Sequence, residues 1–118
     1  KSVECVDREI GRLAKVLSDR RGALIITADH GNADEMGERV KKTGELKRNE
    51  AGHMVARTSH SLNPVPFYVA MAAEDQARFA RTELSRPSIG NLASTALSLM
   101  GFDAPSSYLP SMLKGIKG

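Results

Sequence analysis

The sequence predicts an α/β fold, in which a mostly parallel sheet is flanked by helices. Apolar residues recur at three- and four-residue steps from Val3 to Leu17, which is typical of a helix with one apolar stripe, ending near Asp19. The run from Ala23 to Ala28 is continuously apolar rather than alternating, as in strands that are covered on both faces in parallel sheets. A helix followed by such a strand is one half of an α/β repeat.

The remaining elements are predicted from local signals. A second strand, Phe67 to Met71, follows two prolines, which are tolerated where a strand begins. Residues 72–84 fit either a short helix or an irregular connection. The last helix begins after Ser88, a good N-cap, and ends before Gly101, which suits a left-handed position. The tail, residues 106–118, carries no predicted element.

Between the two strands, residues 37–57 show no periodicity. Six basic residues stand against three acidic ones there, a net charge of +3, so the rest of the chain is formally neutral. We interpret this segment as an exposed excursion with a loose hairpin that turns at Thr43-Gly44. The basic residues from Arg39 to Arg48 could attract an anionic substrate, but a solvated loop is the default interpretation.

Size and composition limit the function classes. The chain has 118 residues, 41% of them hydrophobic and 26% charged, which predicts one core and a single domain over residues 1–118. No apolar run approaches the ~20 residues that a membrane span needs. Low aromatic content (4%) argues against nucleic-acid stacking. The lone Cys5 excludes an internal disulfide, fits a reducing compartment and is expected to be a partly buried, inert thiol. Because the chain opens at Lys1 in mid-helix, we expect that it is an incomplete piece of a longer protein.

Three residues are candidate metal ligands. Asp29 and His30 follow the first strand, at the sheet edge where ligands collect in open α/β sheets. A carboxylate and an imidazole suit Mn²⁺, Zn²⁺ or similar ions, provided that the chain bends at Gly31. Otherwise Asp29 caps a turn and His30 bonds a neighbouring loop. His60, just before the second strand, could converge on the same edge, whereas His53 is expected to be an ordinary exposed histidine.

No hydroxyl nucleophile is apparent in the sequence. The Gly-x-Ser-x-Gly pattern is missing, and Ser59 and Ser61 flank His60 without a separate base. We therefore assign no catalytic residue to this chain, and its substrate-binding residues are unknown.

Two motifs together resemble the cofactor-independent (2,3-bisphosphoglycerate-independent) phosphoglycerate mutases of the alkaline phosphatase superfamily. They are Thr27 to Asp34 (TADHGNAD) and Thr58 to Phe67 (TSHSLNPVPF), in that order. Residues 3–7 and 91–105 look like the family's helix before the metal strand and its closing helix. The resemblance covers nearly the whole chain and implies the C-terminal part of an alkaline-phosphatase-like domain.

The resemblance also implies a function. The family interconverts 3-phosphoglycerate and 2-phosphoglycerate in glycolysis, in the cytoplasm, through a phosphoserine and two Mn²⁺ (or Mg²⁺, Co²⁺ or Zn²⁺) ions, without 2,3-bisphosphoglycerate. By position, Asp29 and His30 would bind the metal nearest the serine, and His60 the other. The serine, the remaining ligands and the substrate-gripping residues would lie in the rest of the parent chain, so the isolated chain is expected to be inactive.

The partners expected are therefore phosphoglycerate and the rest of the parent chain, and neither nucleic acid nor a membrane. Two alternatives stay open: another metal-dependent phosphomutase or phosphatase of the superfamily, and a non-catalytic binding domain.

Overall fold

The computed structural model describes residues 1–116, so the last two residues of the predicted tail lie outside it. Its Cα positions form two compact units, residues 27–67 and the remainder of the described chain. The elements in chain order are α1 (Ser2–Asp19), β1 (Ala23–Thr27), β2 (Phe67–Met71), α2 (Ala73–Gln76), β3 (Phe79–Arg81), a 3-10 turn (Ile89–Asn91), α3 (Leu92–Leu99) and β4 (Leu113–Gly115). The helices of residues 1–116 lack the combination of length and apolar character that a membrane span requires.

Helix α1 has the predicted bounds and ends in a tight turn. Arg21 adopts a positive φ of 55°, and the Gly22 N–H donates to the Leu17 carbonyl at 2.6 Å. None of the helix residues is buried, and Val3 on the predicted apolar stripe is 72% exposed. Cys5 is also exposed, so the expectation of a partly buried thiol was wrong. The apolar stripe and Cys5 are exposed for the same reason, which is that no other described residues cover this helix.

Strands β1 and β2 are confirmed, and they are hydrogen-bonded neighbours in one sheet. The expectation that β1 is buried on both faces was wrong, because its central residues are only half-buried. Among the described residues this sheet has two strands, which leaves too little protein to cover both faces.

The segments without a clear prediction form a second small sheet. Residues 72–84 contain both α2 and β3, and the tail supplies β4. The strands β3 and β4 pair antiparallel, with Ala80 opposite Lys114. Near them, the buried Asp75 of α2 accepts two hydrogen bonds from Arg21, at 2.6 and 3.2 Å, and one from Arg78 at 3.2 Å. The Arg21 guanidinium above all lowers the pKa of Asp75.

Helix α3 is anchored by polar side chains. Ser88 caps the 3-10 turn, in a capping box with Asn91, so α3 itself begins at Leu92 and not directly after Ser88 as predicted. Gly101 has the expected positive φ of 84°. The residues with no exposed surface are polar: the hydroxyls of Ser94 and Thr95 both donate to the Asn91 carbonyl. Thr95 also accepts the Met112 N–H at 2.9 Å, which ties the tail to the helix.

The charged excursion is an ordered double hairpin. The predicted turn is present, with Gly44 at φ 74°, and a second turn that the sequence analysis missed has Gly52 at φ 81°. The three extended segments close on one another, because Lys47 donates its N–H to the Glu38 carbonyl, Glu38 donates to Val55, and Val55 donates to Lys47. This hairpin connects the two segments that carry the candidate ligands.

Candidate metal centre

Asp29 and His30 lie side by side just after β1. The His30 Nε2 is 3.6 Å from the Asp29 Oδ1, and the Asp29 side chain is 87% exposed. The His30 Nδ1 lies 3.1 Å from the Gly31 carbonyl oxygen. When Nδ1 carries the proton and donates to that oxygen, the lone pair is on Nε2, the nitrogen that faces the carboxylate.

His60 is in contact with the same histidine. The rings of His30 and His60 are stacked, with centroids 3.6 Å apart and planes 17° apart. An antiparallel bridge between Gly31 and Ser61 holds the two segments together, and its hydrogen bond runs from the Ser61 N–H to the Gly31 carbonyl at 2.8 Å. The structure therefore brings the three predicted residues together, Asp29 against His30 and His30 against His60.

His53 is not part of this group. It is exposed in the second turn of the double hairpin, where its backbone N–H donates to Asn49 Oδ1 at 2.9 Å. This agrees with the expectation of an ordinary exposed histidine.

A second layer of polar contacts surrounds the bridge, formed by residues for which no role was predicted from the sequence. The Asp34 Oδ2 accepts hydrogen bonds from Asn63 Nδ2 at 2.5 Å and from Ser61 Oγ at 2.8 Å. Those two bonds, the Asn63 bond first, lower the pKa of Asp34. The signal available in the sequence was that both motifs continue with polar residues, Asp34 and Asn63, past the candidate ligands.

An ion pair extends this layer toward the hairpin. Arg57 pairs with Glu35 through its Nη1 and donates from Nε to Ser59 Oγ at 3.0 Å. Asn63 Nδ2 donates to Glu35 as well, at 3.1 Å. Ser59 thus accepts from Arg57 while Ser61 donates to Asp34, and the hydrogen bonds of residues 1–116 include none between either hydroxyl and a histidine.

The donor set fits a divalent cation. Two ligand atoms bound to one ion at about 2.1 Å with a tetrahedral angle lie about 3.4 Å apart, close to the 3.6 Å between Asp29 Oδ1 and His30 Nε2. Because the planes of the two stacked rings are only 17° apart, their in-plane lone pairs do not both point at one nearby ion, so His30 and His60 suit separate ions. Among residues 1–116, no group of three or more histidine, cysteine or acidic side chains is arranged to hold an ion.

Comparisons with known proteins agree with this chemistry. The model of the Metalloenzyme superfamily matches residues 1–104. The chain is 42% identical over 113 residues to the 2,3-bisphosphoglycerate-independent phosphoglycerate mutase of Trypanosoma brucei brucei, covering 96% of this chain and 20% of the relative. It is 39% identical, with the same coverage, to a probable enzyme of that name from Leptospira interrogans.

The chain is also similar to a solved structure of a phosphoglycerate mutase. The crystal structure of Leishmania mexicana phosphoglycerate mutase at low cobalt concentration matches with a TM-score of 0.85 and 36% identity, covering 97% of this chain and 21% of that one. The described architecture is thus that of part of an α/β metalloenzyme domain. The chain spans about a fifth of the length of these relatives.

Proposed function

Because this chain belongs to the metalloenzyme superfamily, we propose that it supplies part of the two-metal site of a phosphoglycerate mutase. The enzyme would interconvert 3-phosphoglycerate and 2-phosphoglycerate through a phosphoserine, as an isomerase of glycolysis in the cytoplasm, without 2,3-bisphosphoglycerate. The observation that carries the proposal is the contact of Asp29 with His30 and of His30 with His60, within residues 27–67. The names of the relatives support the reaction and the independence from the bisphosphate.

Asp29 and His30 would hold one ion, and His60 the other. The separation of Asp29 Oδ1 and His30 Nε2 supports their sharing an ion, and the stacking of the two rings supports separate ions for the two histidines. We propose Mn²⁺, or Mg²⁺, Co²⁺ or Zn²⁺ in its place; the cobalt named for the Leishmania mexicana relative makes Co²⁺ a suitable probe. When bound, such ions neutralise phosphate oxygens and lower the pKa of an attacking hydroxyl.

The chain would act together with the rest of a longer protein. We propose that residues 1–118 are the C-terminal part of one metal-binding domain, and that the nucleophilic serine, the other ligands and the residues that bind phosphoglycerate lie elsewhere in the parent chain. Ser61 is a poor nucleophile, because its hydroxyl donates to Asp34, a carboxylate whose lowered pKa makes it a weak base. The isolated chain should therefore not turn over 3-phosphoglycerate.

A chimera tests the proposal. The matching 113 residues of the Trypanosoma brucei brucei enzyme are replaced by those of this chain, and the product is assayed with 3-phosphoglycerate and Mn²⁺. The chimera is expected to form 2-phosphoglycerate, and its Asp29→Ala and His60→Ala variants are expected to lose that activity. His53→Ala is the matched control and should remain active.

Two outcomes would contradict the proposal. Release of inorganic phosphate without 2-phosphoglycerate would favour the phosphatase alternative. A folded chimera whose activity does not respond to Asp29→Ala or His60→Ala would show that these residues are not ligands.

A further inference from the structure

The Asp34 carboxylate joins the two segments that carry the histidines. One of its oxygens, Oδ2, accepts from both Ser61 Oγ and Asn63 Nδ2, so it bonds the residue next to His60 and a second residue two positions further on. Asp34 itself lies four residues after His30. The carboxylate is therefore a short hydrogen-bonded link between the two histidine segments, independent of the backbone bridge.

The link is tight where it passes Gly31. A Cβ built on Gly31 would lie 2.1 Å from Ser61 Oγ and 2.8 Å from Asp34 Oδ1, so the hydroxyl and the carboxylate fill the space beside this glycine. Ser61 is 5% exposed, and its N–H is bound to the Gly31 carbonyl. With both its backbone and its hydroxyl held, Ser61 has little freedom to rotate, and the neighbouring His60 starts from a fixed backbone.

The His60 ring has no comparable anchor of its own among the hydrogen bonds of the described residues. The ring is exposed and stacks on that of His30. An exposed ring samples several rotamers unless a contact holds it, and the contact with His30 persists only while the two backbone segments keep their spacing.

We propose that Asp34 is a positioning residue: by holding Ser61 and Asn63, it keeps the His60 ring stacked on His30 and so presents each imidazole to its own ion. The first part of this inference concerns the histidine geometry alone. The second part rests on the proposed function.

Proton NMR of the metal-free 118-residue chain tests the first part. Rings stacked at 3.6 Å give nuclear Overhauser effects between the carbon-bound protons of His30 and His60. Asp34→Ala should abolish these signals. Asp34→Asn should retain them, because both donors bind one oxygen and an amide carbonyl can replace it. Glu50→Ala, an exposed acidic residue in the same unit, is the control and should change nothing.

Two NMR outcomes would overturn the first part, that Asp34 keeps the His60 ring stacked on His30. Retention of the inter-ring signals in Asp34→Ala would show that the carboxylate does not position His60, and so would their absence from the unaltered chain. If Asp34→Ala also loses the amide resonances of the double hairpin, Ser61→Ala replaces it. That variant removes one donor and keeps the carboxylate, and inter-ring signals of full strength there would equally overturn the inference.

Mn²⁺ binding, measured by calorimetry, tests the second part. Groups that orient metal ligands typically contribute about 10–100-fold to affinity, so Asp34→Ala should raise the Kd for Mn²⁺ by about that factor while Asp34→Asn raises it far less. An unchanged Kd in a variant that has lost the inter-ring signals would overturn the second part. If the unaltered chain binds no Mn²⁺, the second part is overturned for this chain, whereas the chimera assay still decides the proposed function and the NMR result still decides the first part.

Discussion

Replacing Gly31 with alanine should open the bridge between the two ligand segments. The added Cβ would lie 2.1 Å from Ser61 Oγ and 2.8 Å from Asp34 Oδ1, distances that no side chain tolerates without displacement. Either the Ser61 hydroxyl rotates away from Asp34 or the two backbones separate. Overpacking of this kind costs about 1–3 kcal/mol. Converted at tenfold per 1.4 kcal/mol, that is about a 5- to 150-fold increase in the population of the open bridge.

Amide hydrogen exchange measures this opening directly. The Ser61 N–H is bound to the Gly31 carbonyl at 2.8 Å, so its exchange rate reports how often the bridge opens. In Gly31→Ala the rate should rise by about 5- to 150-fold. The matched control is Gly11→Ala, the same chemical change in α1, where nothing lies within 4 Å of the new Cβ. The control should leave Ser61 exchange unchanged and favour the helix by about 0.5–1 kcal/mol.

If Ser61 exchanges at the same rate in Gly31→Ala as in the unaltered chain, the added methyl group is accommodated by side-chain rotation alone, and the prediction that it opens the bridge is wrong. The space beside Gly31 would then have no bearing on the position of His60.

Three further predictions concern the rest of the chain. Asp75 has a lowered pKa because Arg21 hydrogen-bonds to its charged form. Its contribution to stability is therefore present above the unfolded-state pKa of about 3.9 and is lost as the pH falls through the folded-state pKa. The melting temperature should drop in acid, and the drop should be smaller in Asp75→Asn than in the control Asp103→Asn. Thr95→Val should lower the free energy of unfolding in urea by about 1–3 kcal/mol, because the Met112 N–H loses its acceptor. The control Thr82→Val should have a smaller effect. Equal effects would mean that the hydrogen bond between Met112 and Thr95 contributes little. Gly101→Ala should cost about 1–2 kcal/mol although nothing lies within 4 Å of its Cβ, because its φ of 84° disfavours other residues; an unchanged melting temperature would contradict this.

Local sequence patterns predicted the elements that depend on local physics. The bounds of α1 and β1 follow from a helical period and a continuous apolar run, and Gly101 is marked by its place after the last apolar position. Strands β3 and β4 could not be predicted, since each has three residues and forms only through pairing with the other across the chain. Burial was also mispredicted, because β1, expected to be covered on both faces, is only half-buried, whereas the polar Ser94 and Thr95 of α3 are fully buried.

The candidate site also has a part that the sequence predicted and a part that it did not. Strand ends and the resemblance predicted that Asp29, His30 and His60 would lie close together, and the structure places them in contact. Their role as metal ligands stays a prediction. The role of Asp34 could not be found from the sequence, because it depends on a hydroxyl 27 residues away reaching its carboxylate past a glycine.

The central claim is that Asp29, His30 and His60 hold divalent cations, and paramagnetic broadening by Mn²⁺ tests it within one sample. Substoichiometric Mn²⁺ is added to the 118-residue chain, and the ring resonances of its three histidines are followed by NMR. The account predicts that the signals of His30 and His60 broaden first while that of His53 stays sharp, and that Asp29→Ala reduces the broadening of His30. Equal broadening of all three histidines, or earlier loss of His53, would contradict it.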